Sequence, residues 1–143
     1  MDFVNLDEMM ATKKRNVHLF GTDNFRSWML YFVPGDGTDM HYHASPETFL
    51  VLSGSGVVKG IKGEERPIQK NEVVFFAAKD YYQITNTGTE PLVVFGNRSE
   101  SFGGPHIKAD EPIATPGPSP LAGGNRLTTR QRVVNFYRVK PLT

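Results

Sequence analysis

The sequence predicts an all-β fold, either an antiparallel sandwich or a barrel of short strands. Segments rich in aromatic and β-branched residues recur at short, regular intervals along the chain. Turn signals that contain glycine separate them, at residues 34–37, 53–56, 62–63 and 87–89. No stretch shows a persuasive helical period, so strands account for the regular structure that we expect.

Seven strand candidates follow from this texture. The first has the sequence FRSWMLYFV and ends at the turn of residues 34–37. The candidates cover residues 25–33, 40–43, 48–52, 56–61, 72–76, 81–86 and 91–97.

The chain divides into three regions. Residues 1–24 are polar with scattered apolar positions and form an N-terminal arm or a short strand that leads into the domain. Residues 25–100 form the barrel. Residues 101–143 form a C-terminal extension rich in proline and glycine, which ends in a basic segment. The part of this extension in which the prolines are concentrated cannot contribute central strands.

Length and composition fit a single globular domain. A chain of 143 residues with 38% hydrophobic and 11% aromatic residues can bury a core and is unlike a disordered chain. The absence of cysteine excludes disulfides and thiolate metal sites and suits a reducing interior. There is no apolar run near the ~20 residues that a membrane span needs and no leader resembling a signal peptide. We therefore expect a cytoplasmic protein with no membrane partner.

The strongest functional signal lies in residues 35–54, GDGTDMHYHASPETFLVLSG. His41 and His43 are one residue apart, so on an extended strand both imidazoles project from the same face. Glu47 follows within the same short β segment. Two imidazoles and a carboxylate suit a divalent iron, manganese, nickel or zinc ion. We predict His41, His43 and Glu47 as metal ligands, with an acid–base site as the alternative.

The spacing in this segment resembles the first conserved motif of the cupin superfamily. The motif is complete here: Gly35, five residues, His41-x-His43, three residues, Glu47, six residues and Gly54. The resemblance covers about residues 25–97 and implies a cupin-type double-stranded β-helix, a jelly-roll barrel.

The second cupin motif keeps its frame without a gap but changes its residue types. Cupins have Gly, five residues, Pro-x-Gly, two residues, His, three residues and Asn. Counted back from Asn86, which has the expected type, these positions fall on Asn71, Ala77, Lys79 and Tyr82.

Tyr82 therefore stands where cupins supply a third histidine ligand. A phenol with a pKa near ~10 is protonated at neutral pH and is a poor ligand for a divalent ion. We predict Tyr82 as the catalytic residue that orients or protonates the substrate, while a barrel-filling aromatic and a reused, metal-free pocket remain alternatives. His106, in a loop after Gly103, Gly104 and Pro105, offers a replacement imidazole or an acid–base group, although a surface position is the favoured interpretation.

Strand alternation predicts a largely apolar cavity suited to a small organic ligand. If the side chain of Glu47 points inward, those of Phe49 and Val51 point inward as well. In the same way, an inward Tyr82 implies inward side chains at Ile84 and Asn86. Either face of residues 25–33 can line this cavity, and no obvious arginine cluster marks a phosphate site at its mouth.

The basic charge is concentrated in residues 121–143, which hold five basic residues and no acidic ones. Such a tail can indicate nucleic acid, but no stacking aromatics or recognised binding module accompany it. A solvated or subunit-facing segment is favoured. Its apolar positions on a long tether predict packing on the barrel or exchange with a neighbouring subunit, and hence a homodimer.

Three functions remain open. The first is a metal-dependent enzyme acting on a small organic molecule, for which the cupin resemblance implies reactions such as dioxygenation, isomerisation, cyclisation or decarboxylation. The second is a metal-free dehydratase or isomerase with His41 or His43 as base and Tyr82 as acid. The third is a non-catalytic cupin that binds a small molecule.

Overall fold

In the part of the chain that the structure describes, ten short strands form two antiparallel sheets of five strands each. The computed structural model describes residues 1–102 and 104–109, and the first 109 residues form one unit. The basic C-terminal segment and its predicted role in a homodimer lie outside the described residues. The elements are α1 (Leu6–Ala11), β1 (Asn16–Thr22), β2 (Phe25–Phe32), β3 (His41–Tyr42), β4 (Glu47–Ser53), β5 (Ser55–Gly60), β6 (Glu65–Gln69), β7 (Val73–Phe76), β8 (Tyr82–Thr85), β9 (Leu92–Arg98) and β10 (Ile107–Lys108).

The strand order is that of a jelly roll. The first sheet has the order β1-β2-β9-β4-β7 and the second has the order β10-β3-β8-β5-β6. Several strands that follow each other in the chain, such as β3 and β4, belong to different sheets, whereas β1 and β2 pair within one sheet. The all-β prediction is confirmed.

The core lies between the inward faces of the two sheets. Alternate residues of β2, β4, β8 and β9 meet in one apolar cluster. The cluster settles which face of β2 points inward, because it contains Trp28, Leu30 and Phe32. The cluster also confirms which alternate residues of β4 and β8 were predicted to point inward. Its buried members include Phe49, Val51, Tyr82 and Ile84.

The strands β6 and β10 and the helix α1 were not predicted from the sequence. β6 contains Pro67 and lies at the edge of the second sheet, where a residue without an N–H is tolerated. β1 lies in the region predicted as an N-terminal arm or a short strand, and it is a strand that pairs with β2 at the edge of the first sheet. The helix α1 has only six residues, too few to show a period, and begins at the N-cap Asn5. No helix in the described part of the chain is long and apolar enough to cross a membrane.

The two glycines that bound the first motif are required by the backbone. Gly35 and Gly54 have φ angles of +83° and +77°, in the left-handed region that side chains with a Cβ rarely adopt. A Cβ on Gly54 would also clash with the carbonyl oxygen of Pro91. The motif therefore fixes two turns as well as its polar side chains.

The second motif is preserved in backbone shape although its residue types have changed. Asn71 and Lys79, at the two positions where cupins have glycine, have φ angles of 71° and 68°. Asparagine tolerates this conformation, whereas lysine adopts it at a cost. The backbone N–H of Lys79 donates to the carbonyl oxygen of His43 at 2.8 Å, which ties the turn before β8 to the histidine strand.

Asn86, the one position of the second motif with the residue type expected in cupins, has a structural role. Its buried side-chain amide donates to the carbonyl oxygens of Phe32 at 2.8 Å and Glu90 at 2.9 Å. Its Oδ1 accepts from the N–H of Gly88 at 2.9 Å. These bonds fix the turn after β8 against the end of β2.

Replacing Lys79 by glycine should stabilise the protein. Glycine removes the cost of the left-handed conformation, about 1–2 kcal/mol, and adds an entropy penalty of about 0.5–1 kcal/mol from the unfolded state, so the free energy of unfolding should rise by up to about 1.5 kcal/mol. Urea denaturation measures this change. The control Lys79→Ala keeps the Cβ and should give no gain, so equal effects of the two variants would contradict the strain argument.

Candidate functional site

His41 and His43 are held with their Nε2 atoms available. Both are buried, with 2% and 5% of their surface exposed. The Nδ1 of His41 lies 2.7 Å from the carbonyl oxygen of Asp39, and the Nδ1 of His43 lies 3.0 Å from that of Pro105. Because a carbonyl oxygen only accepts, each Nδ1 carries the proton and each Nε2 keeps its lone pair.

Burial keeps these two imidazoles neutral. Desolvation lowers the pKa of His41 to about 4 and that of His43 to about 3, although their carbonyl partners favour the protonated forms. The nearby Arg98 guanidinium lowers both pKa values further. At neutral pH both rings are therefore in the form that binds metal ions.

His106 joins these two residues from a distant part of the chain. The ligand atoms of His41, His43 and His106 all lie within 4.8 Å of one another, and we call these three residues the histidine cluster. The ring of His106 stacks on that of His41, with centroids 4.0 Å apart and an interplanar angle of 16°. Its side chain is exposed, as a surface residue would be, yet it lies at the site.

The short strand β10 positions His106. Ile107 and Lys108 pair with Tyr42 and His41 of β3, so the residue before them is brought beside the histidine strand. The Pro105 carbonyl, on the other side of His106, accepts from His43. The loop is thus fixed at both neighbours of the third imidazole.

Glu47 lies beside the cluster with both oxygens already bonded. Oε2 accepts from Nε and Nη2 of Arg98 at 3.0 and 2.6 Å, and Oε1 accepts from the hydroxyl of Tyr82. Oε1 is also 3.9 Å from Nε2 of His43. The structure therefore brings the predicted residues His41, His43, Glu47 and Tyr82 together, and ligation by Glu47 stays a prediction.

Tyr82 is a hydrogen-bond donor in this arrangement. Its ring packs between His41, with centroids 4.4 Å apart, and Phe76, with centroids 3.7 Å apart. Burial and the neighbouring Glu47 carboxylate raise the pKa of Tyr82 well above its usual value. The phenol stays protonated and points its proton at Glu47.

Glu47 and Arg98 form a buried ion pair. Each side chain is almost fully excluded from solvent, at 1% and 3% exposure. Desolvation raises the pKa of Glu47, and the guanidinium of Arg98 opposes this shift by favouring the carboxylate.

The site opens into a cavity of about 260 Å³ inside the barrel. Aromatic and aliphatic side chains such as Trp28, Leu30 and Phe49 form part of its wall, but histidines and arginines also line it, so the cavity is less apolar than the sequence predicted. The expectation of no arginine cluster is wrong, because the cavity is lined by Arg15, Arg26 and Arg98.

The alternation of inward and outward residues along a strand could have predicted that two of these arginines point into the barrel. Arg98 follows the buried positions Leu92, Val94 and Gly96 at intervals of two, and Arg26 precedes Trp28 by two. A charged residue at an inward position of an apolar strand indicates an internal site. Arg15 is different, since it comes from the segment before β1 and pairs with Asp36.

Comparison with known proteins agrees with this geometry. Residues 28–95 match the family model described as a cupin domain. This part of the chain is a cupin domain. In this cupin an imidazole reaches the site from the loop before β10, while Tyr82 occupies the expected histidine position on β8.

Two curated proteins resemble this cupin in sequence. Auxin-binding protein 1 from Arabidopsis thaliana is 34% identical over 84 residues, which covers 53% of this chain and 42% of that protein. Tetracenomycin polyketide synthase protein TcmJ from Streptomyces glaucescens is 28% identical over 90 residues, which covers 61% and 60%. The chain spans about half the length of these relatives.

Solved structures confirm the double-stranded β-helix. A cupin-like protein from Thermotoga maritima superposes with a TM-score of 0.60 and 23% identity, over 65% of this chain and 73% of that one. Identity at this level shows the shared fold alone.

Removing Arg98 should destabilise this cupin more than removing the whole ion pair. Arg98→Met leaves the buried Glu47 carboxylate without its partner and should lower the free energy of unfolding by about 3–5 kcal/mol. The double variant Glu47→Gln/Arg98→Met has no buried charge to compensate and should be more stable than the single variant. Urea denaturation compares the two, and a double variant no better than Arg98→Met would contradict this account.

The metal-free protein should lose stability as the pH falls below about 6.5. The unfolded chain takes up protons on His41 and His43 near that pH, whereas the folded chain resists until about pH 3 to 4. Urea denaturation in chelator at several pH values between about 4.5 and 7 measures this slope. The double variant His41→Gln/His43→Gln should show a shallower slope, and an unchanged slope would contradict the assignment to these two residues.

Proposed function

We propose that this cupin binds a divalent metal ion through the histidine cluster and acts as a metal-dependent enzyme on a small organic molecule in the barrel cavity. The observation that carries the proposal is the approach of three imidazole ligand atoms to within 4.8 Å of one another. Two of them belong to buried, neutral rings whose other nitrogen is bonded to a backbone carbonyl.

The donor set fits a transition-metal ion. Imidazole nitrogens suit iron, manganese, nickel and zinc, and the carbonyl partners of His41 and His43 orient the rings as outer-shell groups do in metal sites. Three protein ligands leave coordination positions for substrate. When bound, such an ion supplies Lewis-acid chemistry toward a carbonyl or enolate oxygen, or access to O₂.

The protein's own residues supply a proton beside the cluster. Tyr82 holds a proton directed at Glu47, and Arg98 stabilises the charged carboxylate that accepts it. A substrate in the cavity that presents an oxygen near Tyr82 can take the place of this acceptor. Tyr82 then donates its proton to the substrate oxygen, while Arg98 keeps the Glu47 carboxylate in place beside it.

The cavity supports a small organic substrate. Its volume of about 260 Å³ is just below the range of about 300–1,000 Å³ for sites that bind drug-sized molecules. The names of the two relatives, an auxin-binding protein and a polyketide synthase protein, are also consistent with a small organic ligand.

A metal-free acid–base enzyme is the second candidate. The hydrogen-bonded pair of Tyr82 and Glu47 next to the neutral imidazole of His43 favours it, because acid and base groups already lie within one site. In this case Tyr82 is the acid and His41 or His43 the base.

Metal analysis of the full chain, purified without chelator or nickel resin, tests the first candidate. We expect about one ion per chain by plasma mass spectrometry, consistent with one cluster. His43→Ala and His106→Ala should each lose the ion, since each removes a ligand. The matched control His18→Ala should retain it.

Two further variants separate the ligand sets. If the histidine cluster binds the ion, Glu47→Gln should keep most of the metal and Tyr82→Phe should keep it while losing turnover. Loss of metal in Glu47→Gln with retention in His106→Ala would instead support His41, His43 and Glu47. If the wild-type protein is purified without metal and cannot be loaded with iron, manganese, nickel or zinc, the metal-dependent enzyme is rejected and the acid–base enzyme is the remaining candidate.

A further inference from the structure

Glu47, Arg98 and Arg26 form one row across three adjacent strands. Arg26 of β2 is the register partner of Arg98 of β9, and Arg98 is the register partner of Glu47 of β4. Like charges opposite each other on neighbouring strands are unfavourable. The Glu47 carboxylate binds Arg98, and no ion pair joins Arg26 to an acidic residue in the described ranges.

Two guanidinium nitrogens in this row, Nε of Arg26 and Nη1 of Arg98, are buried and have no hydrogen-bond partner among residues 1–102 and 104–109. The Arg98 side chain is only 3% exposed. Oε2 of Glu100 lies 3.8 Å from Nη1 of Arg98, close enough to attract it but too far to accept a hydrogen bond. A buried donor without an acceptor is costly, so this pair of donors calls for a further acceptor.

Both guanidinium groups border the cavity at Trp28. Their Cζ atoms lie 5.0 Å and 5.1 Å from the centroid of the Trp28 ring for Arg26 and Arg98, respectively. Guanidinium groups that rest against an aromatic ring keep their orientation and are only weakly hydrated. All three residues line the same cavity as the histidine cluster.

We propose that Arg26 and Arg98 bind the carboxylate of a small organic acid inside the barrel, next to the histidine cluster. The proposal rests on the proposed function only in naming this acid as the substrate. Arg98 also holds Glu47, whose Oε1 is 3.9 Å from Nε2 of His43, so the bound carboxylate lies close to the cluster.

Charge and shape favour a carboxylate over a phosphate. The planar, two-oxygen carboxylate matches the donor pattern of a guanidinium. Glu47 and Glu100 already place negative charge near the two arginines, which disfavours a doubly charged phosphate. Trp28, Leu30 and Phe49 offer apolar contacts to the remainder of the acid.

The test uses the full chain with Trp28 as the reporter, because it is the single tryptophan and lines the cavity. Acetate, benzoate, the neutral analogue benzamide and phenyl phosphate are titrated against metal-free and metal-loaded protein while Trp28 fluorescence is recorded. Benzoate should bind in both forms and more tightly than benzamide or phenyl phosphate.

Arginine variants identify the residue responsible. Arg26→Met should raise the Kd for benzoate at least about tenfold, as expected when a hydrogen bond to a charged group is lost. Arg26→Lys should recover part of the affinity because the charge returns without the Nε donor. Arg66→Met, at a 78% exposed side chain on β6, should leave the Kd unchanged. Thermal melting checks that each variant is folded.

Several outcomes would contradict the proposed carboxylate site at Arg26 and Arg98, which we call the anion site. These are equal binding of benzoate and benzamide, tighter binding of phenyl phosphate, no effect of Arg26→Met, or no binding of acetate or benzoate at millimolar concentration. Binding that requires the metal and ignores Arg26→Met would reject this site while supporting the metal centre. Binding that depends on Arg26 in a protein unable to hold metal would support the anion site and reject the metal-dependent enzyme.

Discussion

The ion pair between Glu47 and Arg98 is the constraint on which the interior of this cupin depends. Both groups lie inside a largely apolar barrel, where an isolated charge is very costly. Their mutual bonds satisfy this requirement and leave one carboxylate oxygen for Tyr82. Because Glu47 and Arg98 belong to one sheet and Tyr82 to the other, these bonds connect the two sheets at the site.

Sequence reasoning succeeded where the information is local. The spacing of His41 and His43, the parity of β4 and β8 and the turns at Gly35 and Gly54 are all contained in short segments, and the structure agrees with them. The jelly roll follows from the motif more than from composition, since many sandwiches have the same alternation. α1 was missed because a helix of six residues has no readable period.

The rest depends on contacts between distant segments. Arg26, Arg98 and His106 reach the cavity from β2, β9 and the loop before β10, and no local pattern links them. Parity indicates that Arg98 points inward, but its pairing with Glu47 across β4 and β9 depends on the register of the folded sheet. In the second motif the backbone conformation is kept but the residue types that would reveal it are not. Asn71 and Lys79 have the positive φ angles of the glycines that cupins have at these positions.

The attachment of His106 has a consequence for how a bound ion would exchange. β10 has two residues and pairs with a strand of two residues, whereas β2, β4 and β9 pair along their length. Such a short edge frays at a far lower free energy than the sheet interior opens. Fraying of β10 would release one of the two attachments of His106 while the barrel stays folded. The exchange of the proposed ion would then follow the opening of this edge and not global unfolding.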